Sequence, residues 1–150
     1  GNKILSAGII DGRNIWRTDL DRATFLLADA AAQLDERLWL APSCSLQHVP
    51  VDLVHEEKLN AELKSWLSFA KQKLDELRWL NSALAGTVDA DTGHALQYQR
   101  EALAARASSP LIHNAQVSAA LKHAGSLSRQ RSSPFATRIA AQQKTLNLPA

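Results

Sequence analysis

Apolar and polar positions fall in blocks along the first half of the chain. An apolar run with Ile4, Leu5, Ile9 and Ile10 gives way to the polar cluster Asp11-Gly12-Arg13-Asn14. A second run, Leu38-Trp39-Leu40, gives way to Ser43-Cys44-Ser45, with His48 and Asp52 beyond it. Neither run alternates strictly, which predicts strands covered on both faces, as in a parallel sheet. Between them, Asp19 to Gln33 places Phe25, Leu26, Ala30 and Leu34 at helical spacing as a buried stripe, and Thr18 or Asp19 suits the N-cap. Strand, polar loop, helix, strand, polar loop describes a right-handed βαβ unit. In a (β/α)8 barrel the loops after the carboxyl ends of the strands build the active site. Both polar clusters are therefore expected on such a working face.

Beyond the second strand, which Pro42 should end for want of an N–H, residues 43–51 read as loop. A long helix is predicted from Leu53 to Ala85, with Asp52 as its cap, Gly86 as its stop, and Lys58–Glu62 and Lys71–Asp75 as exposed pairs. Its apolar positions are Leu59, Leu63, Trp66, Ala70, Leu74, Leu77, Trp79, Leu80 and Leu84. After Gly86 the large apolar residues thin out. Helices are expected over Asp91–Ala107, from an Asn114 cap to His123, and over Pro134–Thr145, with a break at Ser108-Ser109-Pro110 and a mobile loop at Gly125–Pro134. The fold class is thus α/β and helix-rich, with two βα units over residues 1–85 and a helical region over 86–150. Two strands cannot close a barrel and are marginal alone. The chain has no Met and begins at Gly1, so it is expected to be a piece of a larger protein. Its open strand edges and apolar stripe predict self-association, or strands displaced from barrel geometry.

Composition adds a charge asymmetry. The net charge is +2, but residues 1–92 carry 10 basic and 14 acidic side chains, against 7 basic and 1 acidic in residues 93–150. A basic tail suits an acidic partner or nucleic acid, so a free-standing helical interaction module is the alternative reading. Charges spread as Arg100, Arg106, Lys122, Arg129, Arg131, Arg138 and Lys144 are more often belong to an ordinary solvated surface. No Gly-rich phosphate loop or zinc-finger spacing is present, so nucleic acid is not expected as a partner. No apolar run is long enough to span a membrane. The lone Cys44 precludes an internal disulfide and suits a reducing, cytoplasmic setting.

Candidate chemistry is sparse. Cys44 and His48 are spaced like two metal ligands, but a catalytic zinc site needs three and no second Cys exists. A Cys–His nucleophilic pair is defined by geometry that spacing does not supply. The plainer reading has His48 and the serine hydroxyls holding the loop. Asp11, Arg13 and Asn14 suit either ligand contact or loop bracing, and Arg13 and Arg17 suit carboxylate partners. Trp16, Trp39, Trp66 and Trp79 read as core rather than as stacking platforms.

Longer strings carry a resemblance. Ser6–Arg17, Ser43–Leu53 and Leu59–Ala70 resemble segments of cobalamin-independent methionine synthases, as do Ser109-Pro110-Leu111-Ile112-His113-Asn114 and Gln142–Pro149, all in order. Gln47 departs from the Leu of many relatives. The resemblance implies two facing (β/α)8 barrels, with residues 1–85 at the end of the amino-terminal barrel and 86–150 in the connection between barrels. It implies transfer of a methyl group from 5-methyltetrahydropteroyl-polyglutamate to homocysteine, yielding methionine, with a zinc ion in the other barrel binding the homocysteine thiolate. The family's zinc ligands, homocysteine stretch and principal folate-tail residues match no position here. No cofactor and no catalytic residue are therefore expected in this chain, and its partner is the rest of the same polypeptide. Asp11, Asn14, Ser43, Ser45 and His48 are expected to support the barrel mouth.

Overall fold

A computed structural model describes residues 2–125 and 131–146. The chain divides into two compact units, the first ending at Ser109 and the second beginning at Pro110.

The first unit is built on one βαβ crossover. Strand β1 (Leu5–Ile10) and strand β2 (Leu38–Pro42) pair in parallel, Leu5 opposite Leu38 and Gly8 opposite Ala41. Helix α1 (Leu20–Leu34) connects them, and the Asp19 carboxylate accepts from the Arg22 amide as N-cap. Pro42 is the last paired residue, facing Ile10. Helix α3 (Ala70–Leu84) and helix α4 (Ala90–Ser108) complete the unit. Their core joins Ile10 of β1, Leu20, Ala23 and Leu27 of α1, Leu80 of α3 and Leu96 of α4. The sheet is not covered on both faces by the described residues. Ile4, Leu5 and Trp39 remain about half exposed.

Four further expectations need correction. On α1 the buried stripe is Leu20, Ala23 and Leu27, while Phe25 and Leu26 are 81 % and 58 % exposed. Two apolar stripes run along this helix, and the one in register with β1 and α3 is buried. The long helix over 53–85 is broken. A 3-10 turn at Leu53–His55, capped by Asp52, is followed by the short helix α2 (Ala61–Ser65) and only then by α3. The break has a backbone cause: Arg17 N donates to Trp66 O (2.9 Å) and Ser68 N donates to Ile15 O (2.7 Å). These two bonds flank an antiparallel bridge between Trp16 and Leu67, so residues 66–68 cannot keep a helical ladder. Within α3, Leu74 is exposed, whereas Lys73 and Glu76 are wholly buried. Lys71 forms its ion pair with Asp52 at 2.6 Å, with Asp75 a weaker influence.

Gly86 stops α3 as expected. Its φ of +67° and the Thr87 N to Ser82 O bond of 2.9 Å close a left-handed cap. The second unit contains helix α5 (Ala115–Ala124), capped by Asn114, and helix α6 (Phe135–Leu146). None of its described residues is buried. Residues 126–130, half of the Gly125–Pro134 loop and including Arg129, lie outside the described residues, as do Leu148 and Pro149. No helix among the described residues is long and apolar enough to cross a membrane.

Candidate functional site

Parallel pairing delivers the two polar loops side by side, at the carboxyl ends of β1 and β2. In the first loop, Asp11 Oδ1 accepts from Arg13 N (2.8 Å) and Oδ2 accepts from Asn14 Nδ2 (2.7 Å). Asn14 Oδ1 accepts from Trp16 N at 3.0 Å. Asp11 and Asn14 thus tie the loop to itself. The second loop is stitched to the first: Ser43 N donates to Ile10 O (2.7 Å), and Ser43 Oγ accepts from Gly12 N (3.1 Å). A glycine is required at position 12 on space alone, because a Cβ there would lie 2.7 Å from Cys44 O and 3.1 Å from its Sγ.

The remaining candidates sit on the next turn. Ser45 Oγ accepts from Gln47 N (3.3 Å), capping the 3-10 turn Leu46–His48, and His48 is exposed. The structure therefore brings Asp11 and Asn14 into direct contact and places Ser43 against their loop through Gly12. Ser45 and His48 belong to the turn beyond. Among the described residues no group of three or more His, Cys, Asp or Glu could hold a metal ion. Cys44 is half-buried against Gly12 while His48 faces solvent, so these residues do not fit a zinc ion.

Beneath the first loop lies a buried polar layer that motif reading misses. Lys73 Nζ donates to Trp16 O (3.1 Å). The Glu76 carboxylate accepts from Thr18 N (3.2 Å), Thr18 Oγ1 (2.8 Å) and Gln99 Nε2 (3.3 Å). Arg17 does not take a carboxylate partner in this layer: it donates to Ser65 O and to Gln99 Oε1 and stacks on Tyr98. Trp16 is half-buried under the Arg106 guanidinium, 4.0 Å from its ring centre. Trp16 is therefore a stacking platform, and Trp39 is 58 % exposed. Trp39 departs from the expected core role, whereas Trp66 fills it at 1 % exposure, and Trp16 and Trp79 pack at the edges of the two apolar clusters. Burial pushes the Lys73 ammonium pKa down, with Glu76 and Asp11 partly opposing. The signal in the sequence is positional. Phe69, Lys73, Glu76 and Leu80 follow one another at helical spacing, so two charged residues stand on a core stripe, where charge persists only if paired.

Residues 1–35 match the family described as cobalamin-independent synthase, N-terminal domain. The 5-methyltetrahydropteroyltriglutamate–homocysteine methyltransferases of two strains of Acidithiobacillus ferrooxidans are 52 % identical over 149 residues, 99 % of this chain. That of Xylella fastidiosa strain M23 is 50 % identical over the same length. In each case the match covers 19 % of the relative, so the chain spans about a fifth of the length of these proteins. With that identity sustained along nearly all of its residues, the chain belongs to the cobalamin-independent methionine synthase family.

Proposed function

We propose that these residues serve, within a longer polypeptide, an enzyme that transfers a methyl group from 5-methyltetrahydropteroyl-polyglutamate to homocysteine. The observation that carries this is identity of 50–52 % maintained over 149 residues with methyltransferases of that name. Such uninterrupted similarity gives a free-standing basic interaction module no support. In this reading residues 1–85 are two βα units of a (β/α)8 barrel and residues 86–150 lead toward a second barrel. The parallel register of β1 and β2 and the shared position of both loops support it. Asp11, Asn14, Ser43, Ser45 and His48 then brace the barrel mouth, and a zinc ion belongs to other parts of the polypeptide. The open strand edges and the exposed Ile4, Leu5 and Trp39 are covered by that remainder, and by self-association when the chain is alone.

A chimera tests the proposal. Residues 1–150 replace the matching fifth of a full-length relative, and methionine formation is assayed with zinc, homocysteine and the triglutamate folate. The chimera is expected to make methionine, while the 150-residue chain alone makes none. A folded chimera without activity, or activity in the chain alone, refutes the assignment.

A further inference from the structure

We infer that Lys73 and Glu76, one turn apart on the buried face of α3, are positioning residues that set the conformation of the Asp11–Asn14 loop. This deepens the reading of that loop as part of the barrel mouth and rests on it for its relevance to ligand binding.

Both side chains are wholly buried, and both bond to one segment, residues 16–18. Lys73 Nζ reaches the carbonyl of Trp16, and Glu76 takes the amide and hydroxyl of Thr18. Trp16 in turn donates its amide to Asn14 Oδ1, and Asn14 Nδ2 donates to Asp11 Oδ2. A continuous chain of contacts therefore runs from a rigid helix interior to the exposed carboxylate of Asp11. The same segment is closed on its other sides. The bridge to Trp66 and Ser68 fixes its backbone, and Gln99 of α4 joins Glu76 to Arg17.

The chemistry favours a positioning role over simple stabilisation. An apolar pair at positions 73 and 76 would satisfy a core stripe at no desolvation cost, and buried ion pairs are often no better than hydrophobic replacements. What an apolar pair cannot do is accept two bonds from residue 18 and donate one to residue 16. Those bonds fix residues 16–18 where the chain enters α1, and so the backbone to which Asn14 and, through it, Asp11 are tied. The Glu76 carboxylate on its own helix and the Asp11 carboxylate in the loop both favour the charged Lys73 ammonium against the cost of burial. The loop thus carries a charge opposite to the one that holds it.

Amide hydrogen exchange in the 150-residue chain tests this without any ligand, so its outcome does not depend on the functional reading. Lys73→Met keeps the volume and removes the donor. It is expected to raise exchange at Trp16 and Thr18 by roughly tenfold, and to free the Asn14 side-chain amide. The Leu27 amide in α1 should keep its protection. Equal loss of protection at all these sites would overturn the proposal, since it would mark Lys73 as a stabilising residue only. If Lys73→Met does not fold, Thr18→Val decides, because it deletes one partially buried hydroxyl and leaves the core intact. Faster exchange confined to residues 14–18 supports the proposal, and unchanged exchange there refutes it. The chimera assay fails or succeeds independently of these results.

Discussion

Gly12 shows how closely the two loops are fitted. A methyl group there would meet the Cys44 carbonyl at 2.7 Å, and a backbone atom cannot rotate away. Gly12→Ala is expected to destabilise the first unit by about 1–3 kcal/mol, read as a lower urea midpoint at unchanged slope. Asp52 supplies the clearest pH effect. Bonds from Lys71 (2.6 Å), Gln72 (2.9 Å) and the Val54 amide (3.1 Å) hold its carboxyl far below the usual carboxylate value of 3.8. A depressed acid pKa contributes stability above the unfolded value and loses it as the pH falls toward the folded one. Urea midpoints should therefore decline as the pH drops below about 3.8, and Asp52→Asn should flatten that decline. An undiminished decline in the variant would assign the acid sensitivity elsewhere. At this scale much was legible. Asp52 and Asn114 announce themselves as caps because a short polar side chain precedes an apolar run. Lys73 and Glu76 do not, because burial of a charge depends on partners at residues 16, 18 and 99 that no local pattern reveals.

Element boundaries were legible where local chemistry decides them. Gly86 ends α3 in a left-handed conformation with open space around its α-carbon. Gly86→Ala therefore meets no clash and should cost only the backbone term, about 1–2 kcal/mol, without disturbing the exchange protection of Leu80. A much larger loss would mean that space, not conformation, selects the glycine. The break between α2 and α3 was not legible. Leu59, Leu63, Trp66 and Ala70 follow a helical period, yet Trp66 and Ser68 give their backbone groups to Ile15 and Arg17. Periodicity reports which residues seek burial, and here two routes to burial, helix and bridge, share one pattern. The α1 stripe fails for a related reason: the helix has two apolar faces, and only the position of β1 and α3 selects Leu20, Ala23 and Leu27 over Phe25 and Leu26.

The two units differ in how much they bury. The first holds both apolar clusters, Ile10 with Leu80 and Leu53 with Phe69, whereas no described residue beyond Ser109 is buried. A chain ending at Ser109 should keep the thermal midpoint of the full chain to within about 2 °C, since stability follows buried apolar surface. A drop of many degrees would show that residues 110–150 stabilise the first unit. The parallel sheet was legible from two apolar runs flanking a helix. The role of α4 was not, because its buried residues are mostly polar or small: Thr92, Gln99 and Ala102 beside a single Leu96.

The long reach of the α4 contacts has a kinetic consequence. The bonds that anchor this helix close some of the largest loops in the chain: Arg17 to Gln99 spans 82 residues and Arg100 to Asp21 spans 79. Closing such loops costs entropy before any contact repays it. The crossover of β1, α1 and β2 is expected to assemble first, with α3 docking upon it and α4 arriving after the rate-limiting barrier. Leu96→Ala should then speed unfolding while leaving the refolding rate nearly unchanged, whereas Leu27→Ala should slow refolding. Stopped-flow refolding of the two variants separates these orders of assembly.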